Sequence, residues 1–471
     1  MRRRRILGGI AALVVGLGLV ACDITPAQAR SLCEQHRIAP TDPITYSVHE
    51  HATGGGGEAQ AWVRCAAQAS TDAGGVPSEH YYIYDIRTDV EPDQVGSPAD
   101  YGTEPPPTPG APAPPPCGGP ITITAGGTYT GCYESTDPNV PAVRIATDQP
   151  VTIDNATIKQ KGAGVVDTQN SPFRRERVTI TDSVFLQSDP GALVHHRAVQ
   201  LGAPHYFVFE HNRLVDTDGI HINSSNGAGG SHLVNPVSVK YNFAENIGRY
   251  PFPLTSGCCV QFLALDNVRE TPGIQVQWNH VRNESGKSDL EGDVINLYES
   301  GGTVAVPADL SNNLVDGAYP DSPADTRWTG GGINLGDCCG GNAHGDIARN
   351  GNSHDNVVVS TTNYGVNANG FNNHAYNNLL VNDRFGSDGV TRFDSDFGAA
   401  ASKFFASAEA PNTIHDNRYN WLRNDTDGQI GCVTQTGGCI NNVQVSTTEQ
   451  GARDEWYARR IAAGVVIGPR P

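Results

Sequence analysis

Val199-Gln200-Leu201, Asn212-Arg213-Leu214-Val215-Asp216 and Ile220-His221-Ile222 follow one another within one short stretch, and their order sets the architecture. The first and third are apolar-polar-apolar triplets, the period-2 signature of a strand with one buried face. The middle element is an Asn, a spacer and apolar residues closed by Asp. The triplet recurs as Val143-Arg144-Ile145, Val260-Gln261-Phe262, Ile295-Asn296-Leu297, Ile333-Asn334-Leu335 and Val366-Asn367-Ala368, with Val390-Thr391-Arg392-Phe393 as a degenerate copy. The Asn element recurs at Asn312-Asn313-Leu314-Val315-Asp316, and more loosely from Asn242, Asn279, Asn356, Asn378 and Asn417. From Val199 the triplets are spaced by 21, 40, 35, 38, 33 and 24 residues. Two alternating elements joined by loops of variable length indicate a solenoid, whose turns stack while insertions go to the surface.

Composition agrees. The chain has 471 residues with 54 Gly and 31 Pro, too many helix breakers for an all-helical fold. A formal charge of −18 repels phosphate backbones, so no nucleic-acid partner is expected. A monomer is expected.

The termini carry their own signals. Arg2 to Arg5 precede an apolar run, Ile6 to Val20, of secretory rather than membrane-spanning length. Residues 1–21 therefore read as a signal peptide. Leu19-Val20-Ala21-Cys22 resembles a bacterial lipobox, which implies a lipid on Cys22, a membrane partner through that anchor and an extracellular, cell-surface location. Ala27-Gln28-Ala29 is a competing cleavage site that would give free secretion. Setting Cys22 aside, an even number of cysteines reads as disulfides in an exported chain. Cys33–Cys65, Cys117–Cys132 and Cys432–Cys439 are the local pairs. The doublets Cys258-Cys259 and Cys338-Cys339 are left open between pairing across, pairing within, and binding a soft metal. Residues 22–103 form a small N-terminal module, 104–116 a Pro-rich linker and 117–445 the solenoid. Residues 446–471 hold a C-terminal helix and tail that would close its end.

The repeat resembles the right-handed parallel β-helix of the pectin-lyase-like superfamily, an all-β solenoid, over about 117–445. That resemblance implies a polysaccharide partner bound on one parallel sheet. In each triplet the flanking residues point inward and the centre points outward. Arg144, Gln200, His221, Gln261, Asn296, Asn334, Asn367 and Thr391 thus form one outward row at a spacing of about 4.8 Å. Long loops before the Val260, Ile295 and Ile333 strands would bring Lys287, Tyr319, Arg327 and Trp328 to its edge.

Asp218 and Asp293 each stand two places before an inward apolar residue, as does Asp388. Asp216-Thr217-Asp218-Gly219 resembles the Asn-Thr-Asp-Gly segment of polygalacturonases, which implies a catalytic role for Asp218. The chain has Cys258-Cys259 where that family has paired aspartates, and it lacks Gly-His-Gly and Arg-Ile-Lys. Asp218 and Asp293, two rungs apart at about 9.6 Å, suit an acid and a base flanking a glycosidic bond, with His221 between them. The expected substrate contacts are Gln200, Gln261, Asn296, Asn334, Arg197, Lys287, Tyr298 and Trp328. Elimination is the competing chemistry, with His195, His196, Arg197, His221, Lys287 and Tyr298 available and Ca²⁺ as the metal it would use. A non-catalytic glycan-binding or cell-surface scaffold is the alternative to an enzyme.

Overall fold

The computed structural model describes residues 44–51, 60–68 and 81–87, and most of 116–470. Outside the described residues lie the leader, Cys22, Cys33, Cys432, both cysteine doublets, His195, Arg327, Trp328 and Asp388. The chain divides into two units, Met1–Pro112 and Ala113–Pro471. In the first, strands Ile44–His51, Gln60–Gln68 and Tyr81–Arg87 pair antiparallel in sequence order.

The second unit is built from short parallel strands. Among the described residues, ten of them form one sheet in strict layer order: Ile121–Ile123, Val143–Ile145, Val165–Asp167, Val199–Gly202, Ile220–Asn223, Leu263–Asp266, Asp293–Tyr298, Gly331–Leu335, Val366–Ala368 and Ala401–Ser402. Every pairing in it is parallel. A second, larger sheet receives one long strand from each of the first two layers, Gly127–Ser135 and Pro150–Gln160, and two from those that follow, such as Tyr206–Glu210 and Arg213–Val215. Tyr206–Glu210 pairs with Val237–Lys240, and Arg213–Val215 pairs with Phe243–Glu245. From the third layer on, the chain thus advances one layer for every three strands, a connectivity compatible with a β-helix solenoid. Inward residues such as Ile145, Val199, Ile220, Leu263, Ile295, Ile333 and Val366 join one continuous apolar core between the sheets.

The corner between the two strands of a layer explains the Asn repeat. Asn212, Asn242, Asn279, Asn313, Asn356, Asn378, Asn417 and Asn442 stack there, all buried. The residue before each is left-handed, as at His211 (φ 57°), Tyr241 (φ 59°), Trp278 (φ 55°) and Asn377 (φ 54°). That conformation turns the chain and aims the next side chain along the stack. Asn279 Oδ1 accepts from the Asn242 backbone N–H (3.2 Å) and from Asn242 Nδ2 (2.8 Å). Asn279 Nδ2 in turn donates to Val239 O (2.8 Å) and Asn313 Oδ1 (2.9 Å). Both donors and both lone pairs of the amide are therefore used, which makes its burial tolerable.

Cys117 and Cys132 are disulfide-bonded at the first layer of the stack. The C-terminal helix, Glu449–Ala462, begins at Thr448, whose hydroxyl accepts from the Gly451 N–H at 3.1 Å. It does not close the end of the stack as its sequence position suggests. It lies along the flank of the larger sheet, over strands Leu314–Ala318, Val357–Thr361 and Leu379–Val381. Those strands are apolar on both faces, and their outward residues Leu314, Val357, Val359, Leu379 and Val381 need a cover. The helix supplies it, and its Trp456 packs against Trp278 and His280 and donates its indole N–H to Asn312 O at 2.7 Å. Arg453 binds Asp316 through Nε (2.9 Å) and Nη2 (2.7 Å). Burial alone would raise the Asp316 pKa, but the Arg453 charge outweighs it and holds the carboxylate ionised.

Replacing Asn279 with Ala leaves buried partners on two neighbouring layers unsatisfied. The expected loss is about 3 kcal/mol or more, read as a lower midpoint of urea unfolding. Asn279→Asp is expected to be at least as damaging, because a carboxylate cannot donate to Val239 O or Asn313 Oδ1. A midpoint within error of the native protein would show that the ladder does not hold the layers together.

Candidate functional site

Register along the ten-stranded sheet corrects the outward row. Its centres are Thr122, Arg144, Val166, Gln200, His221, Ala264, Asn296, Asn334, Asn367 and Ser402. Gln261 and Thr391 do not belong to it. The run Val260-Gln261-Phe262-Leu263-Ala264-Leu265 contains two successive triplets, and the second pairs with Ile220 and Ile222. The Val165–Asp167 strand is a further layer, with an apolar centre that hides it from a search for polar ones. The row is also not uniformly exposed. Gln200 and His221 are half-buried, whereas Asn296, Asn334 and Asn367 are buried. These last three bond to one another: Asn334 Nδ2 donates to Asn296 Oδ1 (3.3 Å) and Asn367 Nδ2 to Asn334 Oδ1 (3.0 Å).

A second column stands three positions earlier in each layer. Continuing the register places Arg197, Asp218, Gln261, Asp293, Gly331 and Tyr364 one above another. Asp218 and Asp293 are therefore two layers apart, with Gln261 between them rather than beside His221. At about 4.8 Å per layer their backbones are about 9.6 Å apart. Local sequence fixes the Asp218 turn. Gly219 has φ 72°, and a Cβ there would lie 2.3 Å from Gln261 O and 2.5 Å from Phe262 O. Only glycine fits between these layers. Gln261 is buried, and its Oε1 has no hydrogen-bond partner among the described residues.

Asp293 is buried, and burial pushes its pKa up to about 6, against the opposing hydrogen bonds from Tyr364 and Asn334. The Tyr364 hydroxyl donates to Asp293 Oδ1 across the Gly331 layer. His221 is held below its ordinary pKa first by burial and then by the Arg197 charge, while Asp266 pulls the other way. His221 Nε2 is 3.6 Å from Asp266 Oδ2. Asp266 is itself fixed by Asn223 Nδ2 (2.6 Å) and Asn267 Nδ2 (2.7 Å).

The column and row bring together Arg197, Gln200, Asp218, His221, Gln261, Asp293, Asn296 and Asn334. Tyr298 stands at the end of its strand, beside Asp266 in register. Lys287 is exposed and ion-paired with Glu284 at 2.6 Å, and it has no described contact with the column. Tyr319, expected at the rim, is buried. Tyr364 and Gly331 are legible by the same offset that marks the aspartates, since they precede Val366 and Ile333 by two. Among the described residues no group of three or more His, Cys, Asp or Glu side chains is placed to hold a metal ion. Chemically, the column offers a carboxyl that retains its proton near pH 6, a second carboxyl two layers away and an amide between them. No family model, curated protein or solved structure matches this chain.

The raised Asp293 pKa has a sign for stability. Its proton is bound more tightly folded than unfolded, so its contribution is fully present below about pH 4 and is lost as pH rises through about 6. Asp293→Asn is expected to remove that decline, worth roughly 3 kcal/mol, so the variant's melting temperature changes less than the native one between about pH 4 and 7. Parallel curves would show that Asp293 titrates normally.

Proposed function

We propose that this chain is an exported, lipid-anchored right-handed parallel β-helix of the pectin-lyase-like kind that hydrolyses a polysaccharide with inversion. The Asp218–Gln261–Asp293 column carries the reading. Two carboxyl groups on alternate layers flank a buried amide whose oxygen has no partner among the described residues. Their backbone spacing of about 9.6 Å lies just above the roughly 6.5–9.5 Å between carboxyl groups that leaves room for a water between acid and base. In this mechanism Asp293, kept protonated by burial, gives its proton to the leaving glycosidic oxygen. The Asp218 carboxylate takes a proton from the attacking water as its oxygen bonds to the anomeric carbon. Solvent exchange then restores both groups. Gln200 and Tyr298 line the approach, and the half-buried His221 orients substrate beside Asp266.

A second reading is a glycan-binding or structural surface protein that performs no cleavage. The burial of Asn296, Asn334 and Asn367 favours it, because mutually bonded amides on the upper layers serve stability without any ligand. A polysaccharide panel separates the two. New reducing ends without unsaturated uronate absorbance are the expected result; both signals together would mean elimination, and binding without cleavage would mean the second reading. Asp218→Asn is expected to lower cleavage by at least about 10²-fold with an unchanged melting curve. A retained rate would remove Asp218 from the mechanism.

A further inference from the structure

Tyr364 reaches Asp293 only because the layer between them carries no side chain. Asp293 pairs with Gly331 in register, and Tyr364 stands one layer further on. A Cβ on Gly331 would lie 2.0 Å from Asp293 Oδ1 and 3.0 Å from Tyr364 Cε2. The glycine is thus a gap through which a phenol on one layer meets a carboxyl two layers away. Asp293 and Tyr364 are both buried, so this contact is shielded from competing water.

We infer that Tyr364 is a positioning residue which, through the Gly331 gap, selects the oxygen of Asp293 that carries the acidic proton. The inference rests on the reading of Asp293 as the general acid. The phenol donates to Oδ1 and so keeps that oxygen an acceptor. A neutral carboxyl has one carbonyl oxygen and one hydroxyl oxygen. With Oδ1 committed as the carbonyl, the proton belongs on Oδ2. The same hydrogen bond stabilises the carboxylate left after proton transfer and limits how far burial raises the pKa. Tyr364 therefore sets the direction of proton delivery and, together with burial and the Asn334 hydrogen bond, the pH at which the acid is loaded. It does so without touching substrate.

The test reads the Asp293 proton directly. The carbonyl-stretch infrared band of a protonated carboxyl that disappears in Asp293→Asn reports that residue alone, in the full-length protein. Its titration midpoint is expected near pH 6 in the native chain. In Tyr364→Phe, which deletes only the hydroxyl, the midpoint is expected to rise by about one pH unit and the band to move to higher frequency as the carbonyl loses its donor. Gly331→Ala is expected to produce the same two changes by separating the pair; if it fails to fold, Tyr364→Phe alone decides. An unmoved midpoint and band in folded Tyr364→Phe overturn the inference. The pH profile of glycan cleavage supplies the second arm, with the basic limb of Tyr364→Phe displaced upward alongside the infrared midpoint. A shifted infrared midpoint in a protein that cleaves no glycan keeps the Tyr364–Asp293 coupling but overturns its role in acid delivery and the hydrolase reading together.

Discussion

A buried asparagine ladder holds the layers of this protein in register, and the column of candidate site residues exists only because it does. A stack of parallel layers must turn the chain at the same place in every layer, and each turn removes backbone groups from the strand ladders. A left-handed residue followed by Asn solves both problems at once. The turn frees an N–H and a carbonyl, and the Asn of the neighbouring layer satisfies them while bonding to the next amide. Because each amide needs partners above and below, a slip by one residue would place an apolar side chain in the ladder and Asn in the core. Position along the stack is therefore set to the residue, and that is what lets functional side chains from distant sequence meet in a column.

The candidate site uses this register in two ways. Asp218, Gln261 and Asp293 become vertical neighbours although loops of unequal length separate them in sequence. All three are buried. In the neighbouring row Gln200 and His221 are half-buried, His221 beside Asp266, whereas Asn296, Asn334 and Asn367 are dry and mutually bonded. At Asp293 burial outweighs two hydrogen bonds and raises the pKa to about 6. Glycine enters the site for two separate physical reasons. At Gly219 a positive φ and two close carbonyls demand it, and at Gly331 the missing side chain is the path between Tyr364 and Asp293.

The C-terminal helix shows how the same stack protects its flank. Runs such as Val357-Val358-Val359 and Leu379-Leu380-Val381 place apolar side chains on both faces of the larger sheet. The inward set fills the core, and the outward set would otherwise remain wet. The helix covers it, and the Arg453–Asp316 pair fixes the helix in place. The pair is doubly hydrogen-bonded, which offsets the cost of removing two charges from water.

The parallel stack, the identity of most layers, the laddered turns and the two-layer separation of Asp218 and Asp293 were all legible in the amino-acid order. These are properties of local repetition: a triplet with period 2, an Asn at a fixed offset and a glycine after an aspartate. The signals for the helix's true seat and for Tyr364 were present as well, in the unbroken apolar runs and in the shared two-residue offset. The choice between the successive triplets at 260–265 was not legible, because it depends on which register matches the strands on either side. Burial was likewise out of reach: the same outward position is half-exposed at Gln200 and dry at Asn334, since the cover comes from other parts of the chain. The contact between Tyr364 and Asp293 belongs to the same class, because it needs an empty place in the layer between them, and a gap becomes visible only when all three layers are stacked.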